Sequence, residues 1–159
     1  MGTPEDKLRE LGLELPEPMA PVANYVPFVR TGELVHISGQ ISKLGGETVT
    51  GRLGEGLSVE EGQRAARLCA LNLIAQMKAA AGDLSKVRVV KLGGFVQSNT
   101  DAHGPKIPQI INGASDLMVE VFGDKGRHAR AAVSAPALPL DVAVEIDAVI
   151  EILDVGVLD

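Results

Sequence analysis

The residues from 142 to 152 constrain the fold most. Val142, Val144, Ile146, Ala148, Ile150 and Ile152 alternate with Ala143, Glu145, Asp147, Val149 and Glu151, the period-two pattern of a β-strand with one face on a core. Glu145 is thereby predicted to point away from that core. Just upstream, Ala129 to Ala135 is a second β-type run, in which Arg130, Ala132 and Ser134 share one face. The link Leu138-Pro139-Leu140-Asp141 is short enough to return the chain as an antiparallel neighbour, which projects Arg130 and Glu145 from the same side of one sheet. A guanidinium fork fits a carboxylate, and a carboxylate held near it can accept a proton or orient a water. The pair is either a site or a structural ion pair at an oligomer interface, where arginine is the favoured cation.

Two helices complete the pattern. Ser58-Val59-Glu60-Glu61 is a capping box, Ala66, Ala70, Leu73, Met77 and Ala80 recur at helical spacing, and Gly82 is placed to stop the helix. A second helix is predicted from about Ile110 to Phe122, with Gly123 closing it. Between them Val87 to Val96 reads as a strand, its Gly93-Gly94 marking a bulge or a close backbone approach. Ahead of both, Asn24 to Val29 and Leu34 to Ser38 read as a hairpin with an irregular first strand at Pro27, and Gly45 to Gly56 as a loop or loose hairpin. Residues 4 to 12 suggest a short helix on the Pro-rich link Leu15-Pro16-Glu17-Pro18. The expected organisation is an N-terminal helical extension over 1–19 and one α+β domain over 20–159. In that domain a mostly antiparallel sheet has two helices packed on one face.

The opposite sheet face then carries Arg130, Glu145, Asp147 and Glu151 beside Ala132, Ala143 and Val149. Such a partly apolar face suits burial against identical subunits, and a closed homo-oligomer is predicted. The formal charge of −6 includes no Lys/Arg block, which disfavours nucleic acid and anionic membranes as partners. Three Phe, one Tyr and no Trp leave few platforms on which bases stack. The three histidines, at 36, 103 and 128, lie far apart with no paired cysteines, and no phosphate-binding glycine loop follows a strand, so neither a metal nor a cofactor is expected. Cys69, in an apolar helical stretch, reads as a buried inert thiol. Without a signal-like start or a membrane-length apolar run, the expected location is the cytoplasm.

Tyr25 before the first hairpin, Ser38-Gly39-Gln40 after the second strand, the helix start at Leu57-Ser58, and Asn112 at the opening of the second helix form a recognisable set. So does Ala129-Arg130, followed by Leu138-Pro139 and Val144-Glu145-Ile146. On these residues the chain, over roughly 20–153, resembles the RidA/YjgF family of enamine/imine deaminases. The resemblance implies a chorismate-mutase-like fold, homotrimers around a central sheet barrel, and three sites in the clefts between subunits. It further implies that Arg130 clamps the carboxylate of a 2-imino acid and that Glu145 activates the attacking water, releasing ammonia and a 2-oxo acid in metabolite damage control. Tyr25 and Asn112 would line that pocket, Ser38 and Gly39 would add backbone contacts, and Ala132 would contribute its main chain. The chain departs from the signature at His128, where Pro or Ala is usual, at Ala132, where Cys is common, and at Pro136. A non-catalytic module binding small carboxylates is the second reading, and an endoribonuclease the third.

Overall fold

The computed structural model describes residues 2–99 and 104–154, so His103 lies outside the described part of the chain. Helix α1 (Pro4–Glu10) is started by a Thr3/Asp6 capping box. It is firmly docked: Leu8 is buried in the common core. The Glu5 carboxylate accepts from Lys78 Nζ at 2.8 Å and from the Leu84 amide at 3.1 Å. Strands β1 (Phe28–Thr31) and β2 (Leu34–Ile41) form the expected hairpin. Its first strand begins after Pro27, because a proline has no amide for the ladder. A small ribbon, β3 (Lys43–Leu44) and β4 (Glu47–Thr48), follows.

Helix α2 (Val59–Ala81) begins at the Ser58/Glu61 capping box and stops at Gly82, whose φ is 76°. Strand β5 (Val87–Gln97) leads to α3 (Lys106–Phe122), then β6 (Ala129–Ala135) and β7 (Val144–Ile152). The five-stranded sheet runs β1-β2-β7-β5-β6, antiparallel except for β5 and β6. Both long helices lie on one face, α2 over β2 and β7, α3 over β5 and β6. Their crossing is close because glycines meet there. A Cβ on Gly62 would stand 2.7 Å from Ile110 Cδ1, and one on Gly113 would run into the Gln63 carbonyl.

Two expectations are corrected here. First, β6 does not pair with β7; β5 lies between them and β6 is the sheet edge. The 136–143 link is a crossover past the end of β5, not a hairpin turn. Pro139–Asp141 forms a short 3₁₀ turn in which Leu140 and Asp141 both take positive φ, 58° and 59°. Buried Gln97 holds it: Oε1 accepts from the Leu138 amide at 3.1 Å, and Nε2 donates to Asp141 Oδ1 at 3.0 Å and the Gly51 carbonyl at 2.9 Å. Second, α3 begins at Lys106, so Asn112 sits inside the helix and does not open it.

Strand β2 contains a bulge. Ile37 pairs with Ala148 and Gln40 with Ile146, so Ser38 and Gly39 together oppose Asp147. Val35, Ile37 and Gln40 turn to the helices, while Ile41 pairs with Glu145 on the open face. A second irregularity in β5, between Val89 and Lys91, keeps Leu92 and Val96 inward and leaves Lys91 and Phe95 outward. The bulge of β5 is thus not at Gly93-Gly94. Those glycines instead permit close approach, of the Asp147 carboxylate to Gly93 and of Ile111 to Gly94.

Candidate functional site

The predicted site residues fall into two groups. The first surrounds Glu145, which β7 places on the open sheet face, half-buried, next to the β2 bulge. Gly39 makes room for it: a Cβ there would lie 2.6 Å from Glu145 Oε1. Ser38 lies in the bulge itself, within β2 and not after it. Its hydroxyl donates to the Val26 carbonyl at 2.7 Å and its amide to the Pro27 carbonyl at 2.9 Å, pinning the segment that carries Tyr25. Tyr25, Ser38, Gly39 and Glu145 line one small, mainly apolar cavity of about 70 Å³, with Met19 and Leu140 among its walls. Gln76 Nε2, donating to the Met19 carbonyl at 3.0 Å, fixes that wall to α2.

The electrostatics of this group suit proton chemistry. Burial first, and then the neighbouring Asp147 charge, raise the Glu145 carboxyl above its ordinary pKa. Asp147 is itself raised by burial, against a lowering hydrogen bond from the Gly93 amide and the charge of Lys91. Two like charges two residues apart on one strand face resist joint ionisation, the arrangement that makes a carboxylate a better base.

The second group surrounds Arg130 on the edge strand β6. Leu92, its pairing partner in β5, faces the helices, and Arg130 turns the same way, toward α3. Nη1 donates to Asn112 Oδ1 at 2.8 Å and to Ser115 Oγ at 3.1 Å, and Nη2 reaches the Pro108 carbonyl at 3.5 Å. Ala132 follows on the same face, packed against the core. The guanidinium is thereby clamped by one helix, and its plane is set. The sequence reading named Asn112 beside Arg130 and did not name Ser115. Its signal is the three-residue spacing from Asn112, which puts both on one helix face.

Arg130 and Glu145 therefore do not project from the same side of the sheet. They sit on opposite faces with β5 between their strands. The cavity lined by Glu145 includes none of Arg130, Asn112 and Ala132. The crossover link inserts β5 and removes the adjacency that the short connection suggested, and the register sets the faces: Arg130 lies in a row with inward Leu92 and Ala148, Glu145 in a row with outward Phe95. Cys69 is buried as expected, its thiol 3.4 Å from the Val144 carbonyl and its pKa pushed up by burial.

The fold and these residues can be set beside known proteins. Residues 5–152 match the family model described as "YjgF/chorismate mutase-like, putative endoribonuclease". The chain belongs to this YjgF/chorismate mutase-like family. It is 50% identical over 149 residues to Protein TCP17 of Trypanosoma cruzi, covering 91% of each chain. Among solved structures it is similar to the Agrobacterium tumefaciens protein Atu1372, of unknown function, with a TM-score of 0.85 and 49% identity over 94% of each chain. A Shewanella oneidensis protein carrying the same endoribonuclease description gives a TM-score of 0.88 at 38% identity, over 95% of this chain and all of that one. The YjgF match takes in α1, in keeping with the burial of Leu8.

Proposed function

We propose that this chain assembles into a homotrimer and hydrolyses reactive 2-imino or 2-enamino acids, with each site completed by two subunits. The observation that carries this reading is the division of the site. Glu145, Tyr25, Ser38 and Gly39 lie at one surface, while Arg130, Asn112 and Ala132 lie at the sheet edge on the other side. Neither group suffices alone. Among the described residues, no cation lines the cavity of Glu145, whose proton affinity is raised, and no carboxylate is bonded to the oriented guanidinium of Arg130.

The surfaces around them favour self-association. The open sheet face carries Phe95 and Val133 exposed beside Ala131 and Val149, and β6 offers an unpaired edge. In the joined site Arg130 holds the substrate carboxylate through a two-pronged contact. Glu145 takes a proton from the attacking water and returns it to the departing nitrogen. An iminium carbon is already electrophilic, so positioning and one acid/base group are sufficient for the reaction.

A complementation assay tests the reading. Glu145→Gln and Arg130→Ala are each expected to abolish acceleration of 2-iminopropionate hydrolysis in a coupled assay. Co-refolded at equal amounts, the two inactive variants should regain activity, since roughly a quarter of the clefts in random oligomers join two intact halves. Sedimentation of a monomer at micromolar concentration, or no recovery from mixed oligomers, would sink the shared site. Binding of carboxylates that survives Glu145→Gln without any wild-type hydrolysis would favour a metabolite-binding module.

A further inference from the structure

The His128 ring is held at both nitrogens. Nδ1 lies 2.6 Å from the Gly126 carbonyl and Nε2 lies 2.9 Å from Ser115 Oγ. A carbonyl can only accept, so Nδ1 carries the hydrogen, and in the neutral ring Nε2 is then a bare acceptor. The Ser115 hydroxyl must donate to it. With its one hydrogen committed there, Ser115 Oγ presents only lone pairs to Arg130 Nη1, 3.1 Å away. The second hydrogen of Nη1 goes to Asn112 Oδ1. Nη1 is thus saturated, Nη2 gives one hydrogen to the Pro108 carbonyl at 3.5 Å, and Nε with the other Nη2 hydrogen remains for a ligand. Among the described residues Nε has no partner.

We propose that His128 is a positioning residue that, through the Ser115 hydroxyl, fixes the guanidinium of Arg130 for capture of a substrate carboxylate. The inference rests on the carboxylate-binding role given to Arg130 above. The relay runs in one direction: Gly126 carbonyl, His128 ring, Ser115 hydroxyl, Arg130 guanidinium. The charged residues next to His128 in the turn before β6 are engaged elsewhere. Arg127 pairs with Asp124, and Lys125 donates to the Ser85 carbonyl.

The test uses pyruvate as the carboxylate probe, titrated calorimetrically into the assembled protein, together with ¹⁵N spectra of the histidine rings and of the arginine side chains. In wild type the neutral His128 ring is expected to carry its proton on Nδ1. His128→Ala should weaken pyruvate about 3- to 10-fold, the range of one lost hydrogen bond in a network. In a Ser115→Ala background the same substitution should add nothing. An Nε2-protonated ring or additive losses would overturn the relay. If wild type binds no pyruvate, carboxylate capture itself fails, and the relay is judged from the spectra alone. An Arg130 resonance that shifts in His128→Ala, but not when the same substitution is made in Ser115→Ala, upholds the coupling, while an unmoved resonance refutes it. Where His128→Ala fails to fold, the position of the ring proton in wild type still decides the relay.

Discussion

The absent side chain of Gly39 is the space in which the Glu145 carboxylate rests: a Cβ at position 39 would stand 2.6 Å from Oε1 and 3.0 Å from Cδ. The obstructing atoms are the mobile end of a flexible side chain, so the fold can yield by turning Glu145 aside. Gly39→Ala is expected to leave the melting temperature nearly unchanged while lowering imine hydrolysis at least ~10-fold through a misplaced base. Melting curves and kcat/KM measured on the same preparation check this, and a fully active Gly39→Ala protein would refute it.

Gly113 gives the contrasting case. Its added Cβ would meet the backbone of Gln63, with the Gln63 carbonyl carbon at 2.9 Å, and neither helix can turn a main chain aside. Gly113→Ala should force α2 and α3 apart and cost about 1–3 kcal/mol, the usual range for overpacking. Chemical denaturation measures that loss directly. A change within experimental error would mean that the helix crossing adapts more freely than its geometry indicates.

Much of this architecture was readable in the chain, for identifiable reasons. The capping box at Ser58/Glu61 and Gly82 at the far end locate α2 to the residue, because each satisfies backbone groups that any helix end leaves open. The alternation in 144–152 likewise locates β7 and puts Glu145 outward. Strand order was not readable. The 136–143 link is equally able to turn or to cross, and what makes it cross is long-range: Gln97, some forty residues earlier, supplies the hydrogen bonds that hold Leu140 and Asp141 at positive φ. The grouping of Arg130 with Asn112 followed from the resemblance, whereas Ser115 and His128 emerge only once α3 is seen to lie over β6.

The carboxyls of Glu145 and Asp147 make stability and activity depend on pH in a definite sense. Both pKa values are raised in the folded chain, so it keeps protons that the unfolded chain has released. Stability should therefore fall as pH rises from the ordinary carboxyl range through the raised values, and level off above them. Asp147→Asn removes one penalty and the like charge beside Glu145. Its melting temperature should exceed that of wild type at neutral pH, with the difference closing below the ordinary carboxyl range. If Glu145 is the base, hydrolysis is lost as it gains a proton, and the acid limb of the pH–rate profile should move to lower pH in Asp147→Asn. A limb that stays in place would separate Asp147 from the chemistry.

Gln97 supplies a further stability test. Gln97→Leu keeps the approximate volume but strands the Leu138 amide, the Asp141 carboxylate and the Gly51 carbonyl without their partner. A loss of about 2–4 kcal/mol is expected from such unsatisfied groups, read as a lowered urea midpoint. The same change should loosen Leu140 at the wall of the Glu145 cavity and raise KM more than it lowers kcat. Unchanged stability would show that the two positive-φ residues hold the crossover without help.

The bulge in β2 carries one more residue than its pairing partner requires. Without that residue, Val35, Ile37 and Gln40 would still turn inward and His36, Ser38 and Ile41 outward, now in an unbroken ladder with β7. The hydrophobic core is indifferent to the difference. For this strand the shortest chain that folds and the chain that seats the Glu145 carboxylate are two different lengths, and the sequence has the longer one.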